Sequence, residues 1–304
     1  MEMSSRTLHD FRRHQHTAML DGLSYQPLRV AWTDAGQGKP VFLLHGIPTW
    51  SFLYNEVTGP LSQHHRVIAP DFLGHGFSDN RDCFDRSLVA QVKMVLRLMD
   101  HLEIPKASFV GHDTGGGVSA ILAIEHAHRV DRLILTNAVA YDSWPVDDML
   151  MLGNPRWSTK RPEEIVAYLA GGLPDGFHNK ERLTPEFCAG ILAPYSDDAG
   201  KISIIRNASA LNTSHTTMLT DRLKTITAPT LCLWGIHDPW QTIRDGERLA
   251  TDIPGAKLVR VDEASHWIPH DAPVRFASEV HMFLGTATDG IGKPHVVQGG
   301  VNAT

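Results

Sequence analysis

The sequence predicts an α/β architecture: a mostly parallel, twisted β-sheet flanked by helices and topped by a helical cap. Three observations carry that expectation. Short apolar, β-branched runs ending in Gly, Pro or Asp recur along the chain, and longer stretches of helical period separate them. The third observation is a long segment without strand pattern, set between two of those runs.

Taken in order, residues 1–24 read as an N-terminal extension that mixes Glu2, Asp10, Arg12 and Arg13 without an apolar stretch. Leu28 to Trp32 reads as a strand at an antiparallel edge. The parallel candidates follow: Val41 to Leu44, Val67 to Ala69, Ser108 to Val110, Leu133 to Leu135, Leu231 to Leu233 and Leu258 to Val261. Between Ser87 and Leu102, Leu88, Val92, Val95, Leu96, Met99 and Leu102 recur at intervals that lay one stripe along a helix. Gly115, Gly116 and Gly117 lead into a helical stretch, Val118 to His126, whose small first turn lets it approach the sheet closely. Another helix is expected through Asp245 to Ala250. From 141 to 220 Pro, Trp, Asn and Ser accumulate among short helical segments such as Glu163 to Ala170, and this insertion reads as the cap. The core is therefore expected at 25–140 and 221–285. The Gly-rich, polar tail 286–304 is expected to be poorly ordered.

Composition narrows the function. A net charge of −6 disfavours nucleic acid as a partner, since phosphate binding needs a basic face. Small neutral substrates remain open. No apolar run nears the roughly 18 residues that span a bilayer, so no membrane partner is expected. Cys83, Cys188 and Cys232 are odd in number and far apart, which suits buried free thiols in a reducing, cytoplasmic compartment. The pairs His14/His16 and His64/His65 lack a third ligand nearby, and no metal or cofactor is expected. A monomer or homodimer is anticipated.

The sharpest chemical signal is Gly111-His112-Asp113-Thr114-Gly115, between an apolar strand and a helix. It has the layout of a nucleophile elbow with aspartate at its centre. Side chains at 111 or 115 would crowd the tight turn, and the helix N-terminus favours the carboxylate charge. An aspartate after a strand commonly caps the next helix instead. Two more positions shift the balance towards chemistry. Asp238, in Trp234-Gly235-Ile236-His237-Asp238-Pro239, and His266, in Ala264-Ser265-His266-Trp267, each follow a predicted strand. The order nucleophile, acid, histidine results, with all three at the carboxyl ends of strands, where open α/β sheets bind ligands. His45-Gly46-Ile47-Pro48 follows Val41 to Leu44, and its glycine lets the Ile47 N–H pair with that of Thr114 as an anion hole. His45 itself reads as a hydrogen-bonding residue of the site wall.

These segments resemble the haloalkane dehalogenase and epoxide hydrolase branch of the α/β-hydrolase superfamily. His45-Gly46-Ile47-Pro48-Thr49-Trp50-Ser51-Phe52-Leu53-Tyr54 looks especially like a haloalkane dehalogenase, and Ala69-Pro70-Asp71-Phe72-Leu73-Gly74-His75-Gly76-Phe77-Ser78-Asp79 adds to the likeness. The resemblance implies that Asp113 attacks carbon to form an alkyl ester, that His266 activates the water which hydrolyses it, and that Asp238 orients His266. It implies no cofactor. The sequence departs from the family where the leaving halide is held: Thr114 replaces the usual Trp, and Ile47 the usual Asn or Glu. One cap tryptophan, Trp144 or Trp157, offers a replacement for one donor, against the commoner role of such a residue in packing. In fluoroacetate dehalogenase the residue after the nucleophile is an Arg that binds carboxylate; Thr114 makes charged haloacids an unexpected substrate. Epoxide hydrolases use cap tyrosines, and here Tyr141 and Tyr195, beside turn-forming residues, are expected to point inward while Tyr168 is expected in the core. Trp50 and Trp267 complete the expected pocket. Carbon–halogen hydrolysis is the first expectation and epoxide opening the second. An ester or lactone hydrolase, or a binding protein without turnover, follows.

Overall fold

The computed structural model describes residues 7–285. Eight strands form one sheet: β1 (Gln15–Leu20), β2 (Leu28–Ala35), β3 (Pro40–Leu44), β4 (Arg66–Pro70), β5 (Ala107–Asp113), β6 (Val130–Ala138), β7 (Thr230–Gly235) and β8 (Lys257–Val261). Their spatial order is β1-β2-β4-β3-β5-β6-β7-β8. β2 is antiparallel to both β1 and β4, and the remaining neighbours are parallel. Every strand read from the sequence forms. β1 does not appear in that reading; it lies within the stretch taken as an extension, and it pairs with β2 from Gln15 to Leu20. Leu20 is its single buried residue, so this edge strand carries no hydrophobic signature.

Alternation along the strands divides the core into two layers. Val41 and Leu43 pack with Val67, Val110, Ile134 and Leu231 on one face, while Phe42 and Leu44 join Ile68, Phe109, Leu133 and Cys232 on the other. Both faces are covered, as parallel sheets require. The second layer is closed by the helices Leu88–His101 and Thr114–Glu125, through Val92, Val95, Met99, Val118 and Ile121. Ser87 caps the first of these by accepting from the Ala90 N–H, a contact typically worth ~1 kcal/mol. The second starts four residues before the stretch expected from sequence. Its Gly115 lies so close to β3 that an added Cβ would run into the carbonyls of Leu44 and His45.

Between β6 and β7 the chain forms helices and no strand. The longer ones are Asp147–Leu152, Pro162–Gly172, Pro185–Leu192 and Asp198–Ser209. Pro162 and Pro185 occupy first turns, where the missing N–H costs nothing, and Thr184 and Asp197 cap the helices they precede. Ile165, Leu169, Leu173, Phe187, Ile191 and Ile204 join this insertion to the first apolar layer. Polar fastenings reinforce it. Asp271 accepts from the backbone N–H groups of His178 (2.7 Å), Asn179 (2.9 Å) and Ser265 (2.9 Å). Buried Glu56 pairs with Arg182, and its other oxygen lies 3.5 Å from His270.

Chain order defines where a site belongs. After β3 the chain adds β4 on one side, then crosses back to place β5 on the other. The connections leaving β3 and β5 therefore diverge, opening a crevice at their carboxyl ends. Among the described residues no helix is long and apolar enough to cross a membrane. All three cysteines are free, but only Cys232 is buried as expected; Cys83 and Cys188 are half-buried at the margins of the core. The expectation for 286–304 lies outside the described residues.

Candidate active site

Asp113 is the last residue of β5, and the helix Thr114–Glu125 begins at the next one. Turning from strand to helix within one residue forces Asp113 to φ +52°, ψ −123°. Such geometry costs a non-glycine residue on the order of 1–3 kcal/mol and persists only where the surroundings impose it. Asp113 occupies the N-cap position, yet its side chain makes no capping hydrogen bond. Helix capping therefore does not explain it. Instead its Oδ1 accepts the Ile47 N–H at 2.8 Å, and the Thr114 N–H also bonds the carboxylate. Gly46 allows this approach, since a Cβ there would overlap the Asp113 carboxylate. Burial pushes the Asp113 carboxyl above the usual carboxylate range, opposed by the charge of His266 and the Thr114 and Ile47 amides; the charge of Asp238 adds to the rise.

His266 follows β8 and Asp238 follows β7. Their side chains meet at 2.8 Å between His266 Nδ1 and Asp238 Oδ2. The carboxylate accepts there, so Nδ1 carries the proton and Nε2 is left as the basic nitrogen. Burial pulls the imidazole down, but the charge and hydrogen bond of Asp238, with the charge of Asp113, outweigh it and the net shift is upward. His266 is held by rings as well: Trp267 at 4.4 Å, His112 at 4.6 Å and Trp240 at 4.9 Å between centroids. Four donors converge on Asp238. His266 and the Asn137 amide (2.8 Å) bond Oδ2, while the N–H groups of Trp240 (2.8 Å) and Gln241 (3.1 Å) bond Oδ1. Asn137 stands near the end of β6 at φ +41° and also bonds both backbone groups of Gly235.

Asp113 and His266 open into a cavity of about 480 Å³ between sheet and cap, a volume suited to a small molecule. The core lines it with Ile47, Thr114, Trp240, Gln241 and Trp267; the insertion adds Trp144, Met149, Tyr168, Leu169 and Leu211. Among the described lining residues there is no Lys or Arg, and Asp148 and Asp175 stand at exposed positions of the wall.

The structure corrects several expected wall residues. His45 lies outside the cavity: Nδ1–H donates to the Gly46 carbonyl (2.8 Å), Nε2 accepts from the Phe72 N–H (2.9 Å), and burial lowers its pKa to about 4. It holds the turn after β3 as a neutral ring. Trp50 also lies outside, packed between Phe11, Phe52 and Phe77 with its N–H on the Gly190 carbonyl. Tyr141 turns away to donate to Asp252, and Tyr195 donates to the Pro48 carbonyl. Tyr168, expected in the core, is the tyrosine in the cavity wall, its hydroxyl donating to the Asp148 carbonyl at 3.0 Å. Trp144 and Trp267 do line the cavity, but their N–H groups are spent on Thr216 and the Leu173 carbonyl. Trp157 donates to the Met151 carbonyl and is not in the wall.

With the site in place, comparison with known proteins decides the family: the α/β-hydrolase fold family matches residues 39–273. The chain is a hydrolase of the α/β-hydrolase fold. Haloalkane dehalogenase 2 of Mycobacterium tuberculosis is 28% identical over 266 residues, covering 83% of this chain and 90% of that protein. An α/β-hydrolase fold protein from Burkholderia ambifaria superposes with a TM-score of 0.79 at 26% identity, covering 87% of this chain and 99% of the other. An enol-lactonase from Burkholderia xenovorans gives 0.71 at 26% identity, covering 89% and 100%. This similarity spans different chemistries, a haloalkane dehalogenase and an enol-lactonase among them.

Sequence reading missed Asn137, Trp240 and Gln241. Asn137 had a usable signal, a polar residue near the carboxyl end of a buried strand. Trp240 and Gln241 had a weaker one, their position two and three residues after Asp238 in a turn. Among the described residues no group of three or more His, Cys, Asp or Glu is arranged to hold a metal ion.

Proposed function

We propose that this hydrolase works through a covalent ester on Asp113 and cleaves the carbon–halogen bond of a small neutral organohalide. The observation that carries the reading is where the anion-hole amides point. With a hydroxyl nucleophile such donors serve the oxygen of the substrate carbonyl; here the Ile47 N–H is already bonded to Asp113 Oδ1. One carboxylate oxygen is held and polarised, leaving the other to attack.

Attack forms a carbon–oxygen bond between Asp113 and the substrate carbon as the carbon–halogen bond breaks and halide departs. His266 Nε2 then removes a proton from water, and the resulting hydroxide adds to the Asp113 carbonyl carbon. The oxyanion created at the held oxygen meets N–H groups already aimed at it. Collapse of the intermediate breaks the alkyl ester bond and releases the alcohol with the proton from His266; the Asp113 carboxyl, now holding one oxygen from water, passes its remaining proton through the freed His266 to solvent and returns to carboxylate. Asp238 keeps His266 in the required tautomer throughout. The leaving halide is met by groups other than the expected cap tryptophans. Trp240, the third indole in the wall, and the Thr114 hydroxyl line the cavity with Asp113. The absence of Lys and Arg from the described wall, together with Asp148 and Asp175, favours neutral substrates over anionic haloacids.

A single turnover of a small bromoalkane in oxygen-18 water tests the reading. The label is expected in the carboxylate of the peptide containing Asp113, with one equivalent of bromide released. Turnover without label in Asp113 would sink the ester mechanism, and diol formation from epoxides without bromide release would transfer the reading to epoxide opening.

A further inference from the structure

Gln241 is 2% exposed, lines the cavity beside His266, and leaves its buried side-chain oxygen without a hydrogen-bond partner. Buried amide oxygens are ordinarily paired, because the lost hydration is not otherwise recovered. The backbone around this group is fixed at both ends: its N–H donates to Asp238 (3.1 Å) and its carbonyl accepts the Trp234 indole N–H (2.9 Å). The side chain is thus presented from a rigid turn. The other polar handles in the wall are largely committed, Trp144 to Thr216, Trp267 to Leu173 and Tyr168 to Asp148.

We infer that Gln241 is a specificity-determining residue, and that the substrate is a small, mostly apolar molecule carrying a hydroxyl group that bonds the Gln241 amide. A hydroxyl both donates and accepts, so it satisfies the amide whichever way its oxygen and nitrogen are turned. The inference rests on the cavity being the substrate site, as in the function proposed above, but not on the leaving group.

The test measures binding, which needs no turnover. Straight-chain alcohols of three to six carbons and the matching α,ω-diols are titrated calorimetrically into wild-type protein, Gln241→Met and Gln241→Asn. Gln241→Met keeps the backbone bonds and nearly the volume while removing the amide; melting curves verify the fold of each variant. Wild type is expected to bind at least one diol about tenfold more tightly than its alcohol, the equivalent of one neutral hydrogen bond. Gln241→Met should lose that preference, and Gln241→Asn should retain part of it at a different chain length. Equal binding of diols and alcohols by wild type, no binding of either, or an undiminished preference in Gln241→Met would each overturn the inference. A diol preference that depends on Gln241, in a protein that neither releases halide nor labels Asp113, would keep this assignment and discard the proposed reaction.

Discussion

Asp238→Asn is the most informative single change, because all four groups bonded to this carboxylate are donors. An amide has only one acceptor oxygen. If it stays with the Trp240 and Gln241 N–H groups, the new NH₂ faces His266 Nδ1 and the Asn137 amide. His266 can relieve its share by moving its proton to Nε2 and accepting at Nδ1, which leaves one opposed donor at Asn137. That residual conflict costs about 1–3 kcal/mol, or a fall in Tm of roughly 2–10 °C for a chain of this size. Catalysis suffers far more, since the relieved tautomer has no basic nitrogen for the water; comparable triads lose ~10⁴-fold. The loss should fall on ester hydrolysis and spare attack by Asp113. A small bromoalkane should therefore give one equivalent of bromide in a burst followed by a stall, with the alkyl group retained on the Asp113 peptide by mass spectrometry. Asp238 raises the His266 pKa, and the neutral ring is the active form, so the acid limb of residual hydrolysis should move to lower pH. Steady-state hydrolysis within about tenfold of wild type would refute the assignment of Asp238 as the group that orients His266.

Other expectations are simpler to check. His266→Ala should trap the alkyl ester stoichiometrically, and continued turnover in that variant would identify a different base. Gly46→Ala should drive a Cβ into the Asp113 carboxylate and cut kcat by about 10²-fold or more through loss of the Ile47 donor; unchanged kcat would show that donor to be idle. Asp113→Asn removes a buried carboxylate whose folded pKa is raised while its amide oxygen can keep the Ile47 N–H. The native state binds the extra proton, so charging Asp113 costs wild-type stability as pH rises from the unfolded value near 3.8 through the folded one. The variant should gain a few degrees in Tm at neutral pH, and that gain should disappear below about pH 4. Trp50→Phe should lower Tm yet leave kcat/KM within about twofold, because Trp50 packs behind the site.

The elbow was legible because its requirements are local. A one-residue turn from strand to helix demands small neighbours, and Gly111 and Gly115 flank Asp113 in sequence. Asp238 and His266 could be placed because a parallel sheet delivers strand ends to one edge whatever the helices do. The cap was less legible. Whether a tyrosine faces a cavity depends on helix orientation, which no local spacing encodes: Tyr168 faces inward from a regular helix, while Tyr141, at φ +52°, is turned out to Asp252. Trp50 misled for a related reason, since its neighbours in sequence adjoin the site but its indole lies in an aromatic cluster behind it. β1 escaped notice because an edge strand with one buried side chain has almost no hydrophobic period to read.

Asp271 ties the insertion to the loop after β8 with hydrogen bonds as well as packing. The same carboxylate grips the insertion at His178 and Asn179 and the loop at Ser265, one residue before His266. The insertion and the His266 loop hang from one peg. Removing the Asp271 carboxylate would therefore release His178 and Asn179 of the insertion and Ser265 of the loop after β8 in a single step.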